Sequence, residues 1–95
     1  MPTSFSDRKI QKTNRFARDV KKLSPIIQVE AFDIALLLSQ NIFDENLNVR
    51  RMTGFRDIFR VVVIRNYRMI FSFDVENLYL LRIGHRREIY RGLEL

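Results

Sequence analysis

Apolar residues in the first quarter of the chain recur at helical spacing. Phe16, Val20 and Leu23 fall on one side of a helix, and the basic residues between them fall on the other sides. Thr13 stands just before this pattern, where a hydroxyl commonly caps the first turn. The pattern predicts a basic amphipathic helix from Thr13 to Leu23.

A second helix is predicted directly after the first. Ser24 followed by Pro25 is typical of a helix start, because serine caps well and proline is favoured in the first turn. The apolar positions continue to about Gln40 and cover more than one side of the helix. We therefore expect burial against both the first helix and a sheet, with an exposed groove for a partner as the alternative. These positions are Ile26, Ile27, Val29, Phe32, Ile34, Ala35, Leu36, Leu37 and Leu38.

The second half of the chain changes to β-rich runs. Branched and aromatic residues between asparagine-containing breaks predict three strands, Ile58 to Ile64, Tyr67 to Phe73 and Leu78 to Ile83. The short connections permit only hairpins, so these strands form an antiparallel meander. Another short strand is predicted from Arg8 to Lys12, with Ile10 pointing inward. The fold class is α+β, with two N-terminal helices packed on one face of a small, mainly antiparallel sheet and a short C-terminal segment.

The first turn of the meander fixes which side chains face the helices. A three-residue loop from Ile64 to Asn66 pairs Val62 with Arg68, and we expect Asn66 in the left-handed conformation. A two-residue loop instead buries Arg60 in the core, where an unpaired charge is costly. The three-residue loop leaves one apolar face for the helices, made of Phe59, Val61, Val63, Tyr67, Met69, Phe71 and Phe73.

The next loop, Val75 to Asn77, sets the third strand in the same way. The helix face then gains Tyr79, Leu81 and Ile83. The opposite, open face, which we call the arginine face, holds Arg60, Arg68, Arg82 and the segment that begins Gly84-His85-Arg86. This face is a candidate phosphate site, and a solvated surface that contacts a partner explains the same residues equally well.

The composition describes one small basic domain. Its 95 residues carry a formal charge of +6, from 17 lysines and arginines against 11 aspartates and glutamates. The chain has no cysteine and one histidine, which excludes a disulfide scaffold, a thiolate nucleophile and a zinc site. No apolar run approaches the roughly 18 residues of a membrane span, so we expect a cytoplasmic protein with an acidic partner.

The basic residues fall into two blocks of different composition. The block from Arg8 to Lys22 mixes lysine and arginine, whereas the block from Arg50 to Arg91 contains only arginine. The planar guanidinium binds phosphate through two parallel hydrogen bonds, so the second block favours phosphate recognition. A general preference for arginine codons is the alternative, and the lysines of the first block count against it.

Three segments of the second half have the order and spacing of a known family. They are Gly54-Phe55-Arg56-Asp57-Ile58-Phe59-Arg60-Val61, Asn66-Tyr67-Arg68-Met69-Ile70-Phe71 and Arg82-Ile83-Gly84-His85-Arg86-Arg87-Glu88-Ile89-Tyr90-Arg91. Together they resemble the RelE/ParE superfamily of bacterial and archaeal toxins, and its RelE branch most. The resemblance implies a single RelE-like toxin domain over residues 1–95. It also implies a ribosome-dependent endoribonuclease, an mRNA interferase, that an antitoxin holds inactive.

The resemblance implies roles for individual residues. It makes Arg68 the phosphate-binding arginine of the middle strand and Arg86 the arginine after the last strand. Tyr90 corresponds to the tyrosine beside the scissile bond. Arg60 corresponds to a basic position on the preceding strand, where RelE members can carry two lysines. This chain departs from that pattern, because Val62 stands at the second of the two positions.

RNA cleavage without a metal proceeds by attack of a 2′-hydroxyl on the adjacent phosphate. This reaction requires three tasks. One group removes the hydroxyl proton, a second stabilises charge on the phosphorane, and a third protonates the leaving oxygen. Arginine fits the second task but is a poor base. We expect Tyr90 to be the base or a positioning group and His85 to be a candidate acid. Relatives carry lysine or histidine at the position of His85. The alternatives are a Tyr90 ring packed on the sheet and a neutral His85 bonded to the backbone.

The leading hypothesis is a ribosome-dependent mRNA interferase that needs no metal or cofactor. Its partners are the ribosome, mRNA and a cognate antitoxin. We expect the antitoxin to form a heteromeric complex that covers the arginine face or displaces the segment with Tyr90. A ParE-like inhibitor of DNA gyrase on the same fold is the main alternative, and an RNA-binding module without cleavage is a third. Beyond the catalytic candidates, the residues expected to bind RNA are Arg60, Arg65, Arg82, Arg87, Arg15, Arg18, Lys21 and Lys22.

Overall fold

Five strands form one sheet, and the computed structural model describes it within residues 7–93. The strands are β1 (Lys9–Lys12), β2 (Arg50–Arg51), β3 (Phe59–Ile64), β4 (Tyr67–Phe73) and β5 (Asn77–His85). Their order across the sheet is β1-β5-β4-β3-β2, with β1 parallel to β5 and the other neighbours antiparallel. The predicted meander is therefore confirmed as the centre of the sheet, with a short strand at each edge.

Between residues 7 and 93, three helices and one 3-10 turn complete the fold. The helices are α1 (Asn14–Lys21), α2 (Pro25–Gln40) and α3 (Arg86–Ile89), and the 3-10 turn is Glu45–Leu47. The predicted cap of α1 is confirmed, because the Thr13 hydroxyl accepts the backbone N–H of Phe16 at 3.0 Å. The Ser24 side chain makes no such bond at the start of α2. Instead, the Gln28 amide donates to two carbonyls at the end of α1, at 2.9 and 3.0 Å, and ties the helices together.

The core lies between the sheet and the first two helices. Met69 and Phe71 of β4 are fully buried there, against Leu38 of α2 and Phe16 of α1. All seven β3 and β4 residues expected on the helix face belong to this core or pack against it. The α+β class is therefore confirmed, and so is the pairing of Val62 with Arg68.

The turn between β3 and β4 differs from the prediction. Ile64 pairs with Tyr67, so the loop consists of Arg65 and Asn66 only. A β-bulge between Val62 and Ile64 absorbs the extra residue and restores the predicted register. Arg65, and not Asn66, has the left-handed backbone, with a φ of 43°.

The prediction for β5 is correct at its end and wrong at its start. Ile83 lies on the helix face as expected. A β-bulge in the middle of the β4–β5 pair then shifts the earlier residues by one position. As a result, Leu78 and Leu80 fill the core. Tyr79 and Leu81, which were expected there, belong to the opposite face, because neighbouring strand residues point to opposite sides.

The expected burial of α2 on more than one side is also wrong. The helix buries one side, through Ala31, Ala35 and Leu38. On its outer side, Ile26 and Phe32 are 72% and 61% exposed. Within residues 7–93 nothing covers this side, because α1 packs against β5. The outer side also exposes Val29, Leu36 and Leu37.

A smaller apolar cluster lies on the arginine face. Ile70 of β4, Ile89 of α3 and Met52 of the loop before β3 are buried together there. The C-terminal segment therefore covers part of the face that was predicted to be open. None of the helices within the described range 7–93 combines the length and apolar character needed to cross a bilayer.

Candidate functional site on the arginine face

Arg60 and Tyr90 form the centre of the candidate site. Arg60 lies in β3, and its Nη1 donates a hydrogen bond to the Tyr90 hydroxyl oxygen at 3.3 Å. The guanidinium carbon lies 6.0 Å from the centre of the Tyr90 ring. Tyr90 is 37% exposed, so part of the residue is accessible to a ligand. The structure thus brings together two residues that the sequence separates by thirty positions.

Tyr90 is positioned by the short helix α3. Ile89 anchors this helix in the small cluster on the arginine face. Gly84 of β5 lies beneath it, since a Cβ atom built there would already touch Ile89 at 3.7 Å. The backbone N–H of Arg86 donates to the carbonyl of Asn66, which fixes the start of α3 to the β3–β4 turn. Tyr90 follows as the C-cap of this anchored turn.

Arg68 lies on the same face, on β4. Its Nη1 donates to the carbonyl oxygens of Arg65 and Tyr67, at 2.6 and 3.2 Å. These bonds hold one nitrogen of the guanidinium at the turn. The remaining N–H groups of Arg68 stay available to an anion.

Arg50 belongs to this face as well, and sequence reasoning missed it. Arg50 lies directly opposite Arg60 in the β2–β3 pair. Together with Asn48, Val62 and Arg68 they line a cavity of about 170 Å³. A two-residue strand carries no periodic signal, so only the pair of adjacent arginines before β3 could have suggested it.

Arg82 is not a free cation of the arginine face, which corrects the prediction. It pairs with Ile70 in the predicted register, but its Nε donates to Oδ2 of Asp19 on α1 at 2.7 Å. The same carboxylate oxygen accepts the backbone N–H of Ile83 at 3.1 Å. Both side chains are largely buried. Arg82 therefore holds α1 against β5, and its charge is neutralised inside the protein.

His85 also lies apart from the Arg60 and Tyr90 pair. It is the N-cap of α3, where its Nδ1 accepts the backbone N–H of Arg87 at 3.1 Å. Its ring packs edge-on against Tyr67, with 5.4 Å between the ring centres. Tyr67 packs against the core under the helices. The geometry gives His85 the backbone-bonded role and does not bring it to Tyr90.

The other basic candidates are exposed. Arg82 makes the only ion pair within residues 7–93, so these side chains have no carboxylate partner in the described part of the chain. They form two groups, one on α1 and its C-cap and one around the β3–β4 turn and α3. The first group consists of Arg15, Arg18, Lys21 and Lys22. The second consists of Arg65, Arg86 and Arg87.

Two shifted pKa values belong to the β4–β5 turn. The pKa of Asp74 is lowered because its carboxylate accepts the backbone N–H of Asn77, the Tyr79 hydroxyl and the backbone N–H of Glu76. The pKa of Tyr79 is raised because its hydroxyl donates to that carboxylate. Asp74 thus organises the turn that precedes β5.

Solved structures share this architecture. A chain of the RelB–RelE antitoxin–toxin complex from Methanococcus jannaschii matches with a TM-score of 0.73 and 19% identity, over 88% of this chain and 99% of that chain. The DinJ–YafQ toxin–antitoxin complex from Escherichia coli gives 0.71 and 16%, over 88% and 98%. The YoeB dimer from Staphylococcus aureus gives 0.72 and 8%, over 83% and 97%. The chain has the RelE-like toxin fold.

The match extends over almost the whole length of each compared chain. No protein-family model matches the sequence, and no curated protein matches it. At such low identity the RelE-like fold does not transfer an activity by itself. The chemistry of the site must therefore be argued from this chain's own residues.

Proposed function

We propose that this protein is a ribosome-dependent mRNA endoribonuclease, the toxin of a toxin–antitoxin pair. The observation that carries the proposal is the hydrogen bond between Arg60 and Tyr90 on a face that also holds Arg50 and Arg68. A phenol beside several guanidinium groups combines a proton-transfer group with binders of anionic phosphate. Two of the solved structures with this fold are toxin–antitoxin complexes, which supports the proposal.

The reaction is attack of a 2′-hydroxyl oxygen on the adjacent phosphorus, with departure of the 5′-oxygen of the next nucleotide. The products are a 2′,3′-cyclic phosphate and a free 5′-hydroxyl, because the leaving 5′-oxygen takes a proton from solvent water. Arg60 and Arg68 stabilise the negative charge that develops on the phosphorane, and Arg86 adds a cation beside α3. The Tyr90 oxygen accepts the Arg60 hydrogen bond and serves as the base or as the group that positions the attacking hydroxyl.

The ribosome is proposed as the platform that presents the message. Arg15, Arg18, Lys21 and Lys22 are exposed on α1 and its C-cap. Such an exposed basic helix suits the phosphate backbone of ribosomal RNA. Binding through it weakens steeply as salt rises, because condensed counterions are released on contact.

A cognate antitoxin is the proposed inhibitory partner. It covers the arginine face or displaces α3, which carries Tyr90. We expect such a cover because an exposed basic surface would otherwise attract cellular RNA. Co-expression with the adjacent reading frame is expected to give a stable complex without cleavage activity, and a complex that still cleaves mRNA would contradict this partner.

The direct test is expression in a translating extract, followed by primer extension on the message. We expect cleavage of ribosome-bound mRNA by the wild type and loss of at least about a hundredfold in Tyr90→Ala and Arg68→Ala. Arg56→Ala, an exposed arginine of the loop before β3, is the matched control and is expected to cleave normally. Intact message with all four proteins would reject the proposal. Trapped gyrase cleavage complexes in a supercoiling assay would then favour the ParE-like alternative.

A further inference from the structure

Arg60 separates two neighbouring cavities on the arginine face. One, of about 260 Å³, is lined by Arg60, Tyr90, Met52 and Thr53 together with Arg51. The other, of about 170 Å³, is lined by Asn48, Arg50, Arg60, Val61, Val62 and Arg68. The reaction proposed above uses Tyr90 and Arg60, which line the first cavity, and Arg68, which lines the second. The second cavity holds three arginines, and that reaction assigns no role to Arg50.

The second cavity concentrates positive charge without neutralising it. Arg50 and Arg60 lie directly opposite each other on neighbouring strands, an arrangement that destabilises a sheet when both side chains carry the same charge. Arg68 joins them from β4, diagonally across β3. No carboxylate within residues 7–93 forms an ion pair with any of the three. A cluster of this kind is stabilised when an anion binds between its guanidinium groups.

We propose that Arg50 is a phosphate-binding residue that, with Arg60 and Arg68, holds an RNA phosphate on the side of Arg60 away from Tyr90. The inference rests on the proposed function for the identity of the anion as RNA. It adds a residue and a binding position to that function. Val62 forms an uncharged part of the same cavity wall and is 40% exposed, so a lysine at this position would restore a cation to the cavity.

The test is binding of a short single-stranded RNA with a 2′-O-methyl group at each nucleotide, which cannot be cleaved by 2′-hydroxyl attack. We expect Arg50→Ala to weaken binding about tenfold, the cost of one charge-assisted contact. The slope of log K against log salt should become less negative by about 0.7. Arg56→Ala removes the same charge from an exposed loop outside this cavity. We expect it to change the affinity less than twofold.

The double variant Arg50→Ala with Val62→Lys is expected to recover most of the lost affinity. A separate readout is the melting temperature in added inorganic phosphate, which is expected to rise more for the wild type than for Arg50→Ala. Equal affinity and equal phosphate response of Arg50→Ala and Arg56→Ala would overturn the inference, and so would a wild type that binds neither ligand. Binding as expected, without cleavage of mRNA in the extract, would reject the proposed nuclease while supporting the phosphate site.

Discussion

The two faces of the sheet differ in the partners that their side chains contact. On the helix face, Met69 and Phe71 are enclosed by apolar neighbours. On the arginine face, Arg50 and Arg60 stand opposite each other without a carboxylate partner among residues 7–93. The first arrangement stabilises the fold by burial. The second contributes nothing comparable to stability, which is consistent with the phosphate site proposed above.

Arg82 shows that the contrast depends on partners and not on residue type. It is an arginine on the same sheet, but Asp19 neutralises it and the pair is largely buried. Arg60 instead reaches Tyr90. The structural Arg82 and the proposed functional Arg60 therefore differ in the group that each guanidinium contacts.

The largest expected effect is on the helix face. Phe71→Ala removes a fully buried ring and should lower the free energy of unfolding by about 4 kcal/mol. Val75→Ala, at an 89% exposed position of the β4–β5 turn, should change it by less than about 0.5 kcal/mol. Urea denaturation of both variants checks this, and similar losses at the two positions would remove the distinction between core and surface.

The next effect concerns the Arg82 pair. Asp19→Ala leaves the Arg82 guanidinium and the N–H of Ile83 without their acceptor, which should cost about 3 kcal/mol. Asp33→Ala removes an exposed carboxylate of α2 and serves as the control. If urea denaturation gives equal stabilities for the two variants, Arg82 is not structural and belongs with the free arginines.

Tyr90→Phe should separate activity from stability. It removes the oxygen that accepts the Arg60 hydrogen bond and is expected to lower mRNA cleavage about a hundredfold, with little change in unfolding free energy. Tyr79→Phe is the matched control, because it deletes a hydroxyl that bonds to Asp74 at the other end of β4 and β5. Primer extension together with urea denaturation measures both quantities. Equal cleavage by the two variants would deny Tyr90 a part in the chemistry.

The smallest effect is the pH dependence at the β4–β5 turn. Because the pKa of Asp74 is lowered in the folded protein, its carboxylate stabilises the fold at neutral pH. This stabilisation is lost as pH falls below about 4 and through the lowered pKa. The melting temperature of Asp74→Ala should therefore lie slightly below that of the wild type at pH 7, and the gap should close in acid. Val75→Ala, which removes no titratable group from the same turn, should show no such convergence. A constant gap for Asp74→Ala would contradict the assignment.

Caps and short loops made much of the fold predictable. Thr13 and Pro25 marked the starts of the first two helices, because capping and the first turn depend on local sequence. The β3–β4 register followed from keeping Arg60 out of the core, although the loop was one residue shorter than expected. The requirement that one face of the sheet be apolar thus constrains strand register more strongly than the details of a turn do.

The wrong predictions involved features that local patterns do not encode. The β-bulge in the β4–β5 pair moved Tyr79 and Leu81 to the other face. Residues 78–81 are apolar or aromatic on both faces, so the break in alternation that a bulge causes was not visible in the sequence. The pairing of Arg82 with Asp19 joins residues that are 63 positions apart. The exposed outer side of α2 depends on where α1 packs, which hydrophobic spacing does not determine.

For the candidate site, Arg68, Arg86 and Tyr90 were suggested by resemblance, and the structure adds the contact between Arg60 and Tyr90. Arg50 was missed because β2 has two residues. His85 was proposed as an acid on its residue type, whereas its position at the start of α3 gives its Nδ1 a backbone donor. Residue type identified the available chemistry, and only the assembled fold could select among the candidates.

The central claim is that the arginine face cleaves RNA through the 2′-hydroxyl, and the ends of the cleaved message test it most directly. After cleavage in the translating extract, the downstream fragment should accept a 5′-phosphate from polynucleotide kinase without prior phosphatase treatment, and the upstream fragment should end in a 2′,3′-cyclic phosphate. A downstream fragment that already carries a 5′-phosphate, or a message that stays intact, would contradict the claim.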